Sequence, residues 1–156
     1  MSILSSRIML ATALAAGLAA PAFADGFAEF RACALEGDAN VTATFHHCTA
    51  PLVSHCGASA TAKEAAACID AARSDIETEI TRASAALGET TGDGADAIAD
   101  AMSGNRSAGE ASCALMAQQD ATTGVKVGQR AVNASFCQAI ASGDVLGMVY
   151  RMEAAE

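Results

Sequence analysis

Six cysteines constrain the fold of this chain more than any other feature, because each disulfide holds two segments beside one another. They are Cys33, Cys48, Cys56, Cys68, Cys113 and Cys137. Their number is even, and no Cys-x-x-Cys arrangement, which redox-active thiols often use, occurs. In an exported chain such a set indicates a disulfide framework, for which fifteen pairings exist.

The first 24 residues have the pattern of a secretory signal peptide. Arg7 precedes an apolar run over residues 8–20, and Ala22-Phe23-Ala24 forms a small-x-small cleavage site. The apolar run is shorter than the roughly 20 residues that a membrane-spanning helix needs. We therefore expect cleavage after Ala24 and a single soluble domain over residues 25–156 that is not inserted in a membrane. The alanine-rich leader is typical of bacteria and predicts a periplasmic or secreted product.

The chain is acidic, with 18 Asp and Glu against 9 Lys and Arg and a formal net charge of −9. Loss of Arg7 with the signal peptide would make the exported domain one unit more negative. This charge argues against nucleic acid and anionic membrane surfaces as partners. It suits a cationic protein, although it also serves solubility alone.

Helical spacing of apolar residues dominates the sequence after residue 25, and no segment alternates as a strand does. Phe27 to Ala34 predicts a short helix that stops at Gly37, a residue suited to a helix end. Residues 38–57 contain β-branched side chains and Pro51, which disfavour a long helix. We expect one or two helical turns with loops there.

The clearest helix begins at a capping box formed by Thr61 and Glu64. An apolar stripe follows at steps of three and four residues, and Gly88 is placed to end it. Charge pairs are predicted on its outer faces, Arg73 with Glu77 and Glu79 with Arg82. The stripe consists of Ala65, Ile69, Ala72, Ile76, Ile80, Ala83 and Leu87.

Two further helices are predicted in the second half of the chain. A glycine-rich loop over residues 88–94 precedes one that starts at Asp93, and residues 122–124 precede another, which Gly143 is placed to interrupt. The expected fold is all-α, a small disulfide-stapled helical bundle with two or three long helices and short N-terminal helical turns.

The helix order suggests which cysteines meet. Cys56 and Cys68 stand on either side of the capping box, so a bond between them would clamp the incoming loop onto the long helix. Cys113 and Cys137 lie on successive helices. Of the fifteen pairings, we therefore predict the sequential one, Cys33 with Cys48, Cys56 with Cys68 and Cys113 with Cys137.

Chemistry-bearing motifs are scarce. His46, His47 and His55 lie close together in sequence and offer a hypothesis of metal binding. Adjacent histidines on a helix diverge by about 100°, however, and the neighbouring cysteines are expected to be oxidised. We therefore assign no metal ligand, no cofactor-binding residue and no catalytic residue, and expect that the chain is not an enzyme.

The cysteine spacing and helix order resemble the LprI-type family of small exported helical proteins, which is named for a lysozyme-inhibitor lipoprotein. The resemblance covers about residues 33–150. Before the cysteine that corresponds to Cys113, the family carries a segment with a Trp and an Arg. Asn105 and Gly109 stand at those positions here, so the roles of the Trp and Arg do not transfer.

The resemblance implies a binding module that contacts a cationic protein such as a lysozyme-type muramidase. Two alternatives stay open from the residues themselves. One is a structural envelope protein with no dedicated ligand, and the other is a metal-binding module that uses His46, His47 and His55.

Overall fold

The structure, a computed structural model, describes residues 22–36, 41–91 and 95–155. These residues form helices joined by short turns, and the described ranges contain no strand. The all-α prediction is thus confirmed. The helices are α1 (Ala22–Glu36), α2 (Val41–Ser54), a 3-10 turn (His55–Ala58), α3 (Ala62–Thr91), α4 (Ala95–Thr122) and α5 (Val127–Ala154).

The predicted signal peptide lies outside the described residues, apart from the backbone of its last three positions. The described helices include none whose length and apolar character would allow it to cross a bilayer.

Helix α5 lies at the centre of the bundle and packs against each of the other four α-helices. Tyr150 at its C-terminal end is almost fully buried, although its hydroxyl donates a hydrogen bond to Glu79 of α3. Each large apolar side chain buried in this way contributes roughly 1.5–3 kcal/mol. The main core contains Phe30, Ala34, Phe45, Cys48, Leu52, Ile76, Ile80, Ala83, Leu87, Val145, Leu146, Val149 and Tyr150.

The capping box predicted at the start of α3 is present. The backbone N–H of Glu64 donates to the Thr61 hydroxyl over 3.2 Å, and the backbone N–H of Thr61 donates to the Glu64 carboxylate over 3.0 Å. The apolar stripe faces the core from Ile69 to Leu87. The prediction that Gly88 ends this helix is wrong, because α3 continues to Thr91. Residues 92–94 of the predicted loop lie outside the described ranges.

Helix α2 corrects the prediction of loops for residues 41–54, whereas residues 38–40 lie outside the described ranges. It runs without a break to Ser54, and Pro51 lies in its last turn, where it removes the one backbone hydrogen bond that its N–H would have donated. Burial of Phe45, Cys48 and Leu52 in the core outweighs the low helix propensity of the β-branched residues.

Helix α5 also runs without a break through Gly143, so the predicted interruption is wrong. Helix α2 crosses α5 at this point. A Cβ atom at Gly143 would lie 2.7 Å from Thr49 Cγ2 and closer still to the Thr49 hydroxyl, and one at Gly147 would lie 2.6 Å from Phe45 Cγ. The two glycines therefore serve close helix packing and not helix termination.

Three disulfides link neighbouring elements, as the sequential pairing predicted. The Cα–Cα separations lie between 5.6 and 5.7 Å, within the usual range. The bonds join α1 to α2, the 3-10 turn to α3, and α4 to α5 through Cys33–Cys48, Cys56–Cys68 and Cys113–Cys137.

Helix α4 contributes fewer buried residues to the bundle than any other α-helix. Cys113 is the one residue that is buried among its described side chains. It packs tightly against α5 at Gly109, where a Cβ atom would lie 2.6 Å from the Cβ atom of Ala141. Because few side chains of α4 are buried against α5, cavities remain on both flanks of α4.

Candidate functional site

One flank of α4 forms an apolar cavity with α5 and α2, which we call the α4–α5 groove. Its volume is about 580 Å³, within the range of binding pockets for small molecules. It is lined by Phe45, His46, Asn105, Ala108, Gly109, Ser112, Cys113, Met116, Phe136, Cys137, Ile140, Ala141, Asp144 and Met148.

The groove exists because α4 presents short side chains along this flank. Ala108, Gly109 and Ser112 extend too little to cover the row of larger side chains on α5. Two contacts join α4 to α5 in the wall of the groove. They are the packing of Gly109 against Ala141 and the disulfide Cys113–Cys137.

The groove holds a single carboxylate, that of Asp144. One of its oxygens lies 3.1 Å from Nε2 of His46. The other oxygen, Oδ1, is buried and has no hydrogen-bond partner. Burial raises the pKa of the Asp144 carboxyl, and the nearby His46 offsets this in part. The charged carboxylate is therefore only partly compensated by the protein itself.

The rest of the groove is mainly apolar. Phe136, Ile140, Asp144 and Met148 follow one another in steps of four residues on α5, so neighbours in this row share a face of the helix. Phe136 is 41% exposed, so part of its apolar surface is accessible to a ligand. Across the groove, Met116 of α4 is half-buried.

The structure separates the three histidines of the metal hypothesis. His46 faces Asp144 in the α4–α5 groove, whereas His47 and His55 line a different cavity of about 440 Å³ between α1 and α2. This second cavity lies beside the disulfide Cys33–Cys48. The three imidazoles therefore do not converge on one point.

One cluster of potential metal ligands exists in the described part of the chain. His55 Nε2 and the sulfurs of Cys56 and Cys68 lie within 4.8 Å of one another. Both sulfurs belong to a disulfide, however, and a metal binds the thiolate. The cluster offers a single imidazole as a strong ligand while the disulfide is intact.

Charged groups between α3, α4 and α5 are satisfied within the protein. Glu77 does not form the predicted pair with Arg73; it accepts from Arg106 of α4 over 2.6 Å and from the Ser142 hydroxyl, while Arg73 donates to Gln138. Burial raises the pKa of Glu77, but the hydrogen bonds from Ser142 and Arg106, together with the charges of Arg106 and Arg73, outweigh it and leave the pKa lowered.

The predicted pair of Glu79 and Arg82 is present, with 2.6 Å between charged atoms. This hydrogen bond, assisted by the Tyr150 hydroxyl, lowers the pKa of Glu79 although burial opposes the effect. Burial and the bond to Glu79 raise the pKa of Tyr150. These contacts tie α3 to α5.

Acids outnumber lysines and arginines among the exposed side chains of the described residues. The basic side chains Arg31, Arg82 and Arg106 pair with the half-buried acids Glu153, Glu79 and Glu77. The exposed acids take part in no ion pair of the described structure. They are Asp25, Glu29, Glu36, Glu64, Asp70, Glu89, Asp96, Asp100 and Glu110.

Sequence reasoning missed Asp144 as a site residue. The signal was present, since an acid interrupts the apolar row Phe136, Ile140 and Met148 at four-residue spacing. What the sequence lacked was the identity of the neighbouring helix and the size of its side chains.

Comparisons of this chain with protein-family models, with curated proteins and with solved structures found no match.

Proposed function

We propose that this chain is an exported, disulfide-stabilised binding module that acts by contact with a cationic protein, for which a lysozyme-type muramidase is the first candidate. The observation that carries the proposal is the uneven pairing of charges. The basic side chains engaged in ion pairs neutralise half-buried acids, and the exposed acids are left without ion-pair partners.

This charge distribution favours association with a basic protein. Exposed, unpaired carboxylates act together over the Debye length, which is about 8 Å at physiological salt. Such a surface raises the rate of encounter with a cationic partner and repels a second copy of the same chain.

The resemblance to the LprI-type family supports the same class of partner. Asn105 and Gly109, which stand where the family segment has its Trp and Arg, both line the α4–α5 groove. A different set of contacts would therefore be needed here, even if the class of partner were shared.

Calorimetric titration of the oxidised protein with a cationic lysozyme tests the proposal. We expect binding at low salt that is weakened, but retained, at physiological salt, together with slower cleavage of peptidoglycan. Cytochrome c, which is also basic, serves as the control for attraction by charge alone. Undiminished lysozyme activity at micromolar concentrations of this protein and physiological salt would contradict the proposal.

Two variants with the same change in charge test whether the contact is localised. One removes three acids from α4 by Asp96→Asn, Asp100→Asn and Glu110→Gln. The other removes two acids from α1 and one from α3 by Glu29→Gln, Glu36→Gln and Asp70→Asn. A specific interface predicts that the two variants lose different amounts of affinity, whereas equal losses indicate attraction by net charge only.

A further inference from the structure

We infer that the α4–α5 groove receives a protruding partner segment in which an apolar side chain stands next to a lysine or arginine, whose cation pairs with Asp144. The inference rests on the proposed function, since it names where on the chain the cationic partner is contacted and which chemistry is recognised there.

The carboxylate of Asp144 specifies the cationic part of the occupant. Its Oδ1 atom is buried without a partner, while its other oxygen is already engaged by His46. A carboxylate is stabilised by a nearby positive charge, and a charge-assisted hydrogen bond is stronger than a neutral one. The Asp144 side chain is 22% exposed, so an ammonium or guanidinium group that enters the groove can approach the carboxylate and supply the opposite charge.

Within the described residues, no lysine or arginine side chain lines the groove. His46 and Asp144 are the titratable side chains that line it. Arg106 lies on α4, but its guanidinium pairs with Glu77 on the opposite flank. The missing cation therefore comes from another molecule.

The apolar part of the occupant is specified by the other walls. Phe136, Ile140 and Met116 form an open apolar lining that the short side chains of α4 do not cover. Methionine side chains adapt well to varied apolar partners. A partner side chain placed here would be removed from water along with the exposed ring of Phe136.

Other occupants fit the same walls less well. An anionic ligand would meet the Asp144 carboxylate, and a second copy of this chain carries the same excess of exposed acids. A metal ion would find one carboxylate and one imidazole, and no set of three potential ligands includes them in the described residues. A cationic, partly apolar segment remains the best match.

Methyl-labelled methionines allow the groove to be observed directly by NMR. Met116 and Met148 line the groove, whereas Met102 and Met152 do not and serve as internal references. The probe is 4-phenylbutylamine, which carries a primary ammonium on an apolar body, and the neutral 4-phenylbutanol is its control. We expect saturable shifts of the Met116 and Met148 methyl signals with the amine and much weaker binding of the alcohol.

Three substitutions complete the experiment. Asp144→Asn keeps the shape of the side chain and removes its charge, and it should weaken binding of the amine at least about tenfold. Asp70→Asn makes the same change on the exposed face of α3 and should leave binding unchanged. Ala108→Trp fills the groove from an exposed position and should abolish the shifts, which provides a second test if the Asp144 variant folds poorly.

The outcomes separate this inference from the proposed function. Equal binding of amine and alcohol, or unchanged binding of the amine by both groove variants, would overturn the inference. If lysozyme binds all variants equally well, the proposed function stands and the groove is not its site. If lysozyme fails to bind while the amine behaves as expected, the groove chemistry is supported and the proposed partner is wrong.

Discussion

Replacement of Gly143 by alanine probes the contact between α2 and α5. In an open helix this substitution stabilises by about 1 kcal/mol, because alanine has the higher helix propensity. At Gly143 the new methyl group would lie 2.7 Å from Cγ2 and 2.9 Å from Cβ of Thr49, and closer still to its hydroxyl oxygen. The gain in helix propensity is therefore opposed by the cost of overpacking against Thr49.

Thr49 has little freedom to move away. It is fully buried, and its hydroxyl donates to the carbonyl of Phe45 over 2.7 Å. Overpacking of a dense core costs about 1–3 kcal/mol, and rotation of Thr49 would add about 1–3 kcal/mol for the lost buried hydrogen bond. After the gain in helix propensity is subtracted, Gly143→Ala should destabilise the fold by about 3 kcal/mol.

Urea denaturation of the oxidised protein, followed by far-UV circular dichroism, measures this loss. A thermal scan should show a midpoint lower by about 10 °C. The matched control is Gly88→Ala in α3, because no atom lies within 4 Å of the added Cβ there. That control should stabilise the protein by about 0.5–1 kcal/mol.

A double variant identifies Thr49 as the source of the cost. Thr49→Ala removes the hydroxyl and Cγ2, so the combination with Gly143→Ala should be more stable than the sum of the single effects by at least about 1 kcal/mol. The reasoning is refuted if Gly143→Ala is as stable as the unchanged protein, or if the two effects simply add.

Two further predictions concern the attachment of α4 and the response to acid. Replacement of Cys113 and Cys137 by alanine should destabilise the protein by about 3 kcal/mol and speed amide hydrogen exchange in α4 more than in the core part of α5; equal acceleration in both helices would contradict the peripheral placement of α4. The lowered pKa of Glu77 stabilises the fold above the ordinary value near 4.5, and this stability is lost as pH falls through the lower pKa of the folded state. Glu77→Gln should therefore be less stable at pH 7 and show a flatter pH dependence below pH 5 in urea titrations, whereas parallel pH profiles would remove Glu77 from the acid response.

Local features of the sequence were sufficient for much of the architecture. The capping box at Thr61 and Glu64 and the stripe from Ile69 to Leu87 depend on residues within a few turns of one another, and both are present as predicted. The cysteine pairs were predictable for a similar reason, because each joins elements that follow one another in the chain.

Two of the errors concern residues whose conformation is decided by distant partners. Propensity alone disfavoured a helix around Thr49 and Pro51, yet α2 forms because its apolar face is buried against α5. Gly143 would be expected to break a helix, but its lack of a side chain is what admits Thr49. Propensities within a segment contain no information about such contacts.

The candidate site illustrates the same division. The sequence determined the acidic surface charge, the disulfide framework and the apolar spacing of Phe136 and Ile140. Only the tertiary structure decided that Asp144 keeps a buried oxygen without a partner beside an open groove. The groove depends on the short side chains of α4 lying opposite the long ones of α5, and that register is fixed by packing between helices and not by either helix alone.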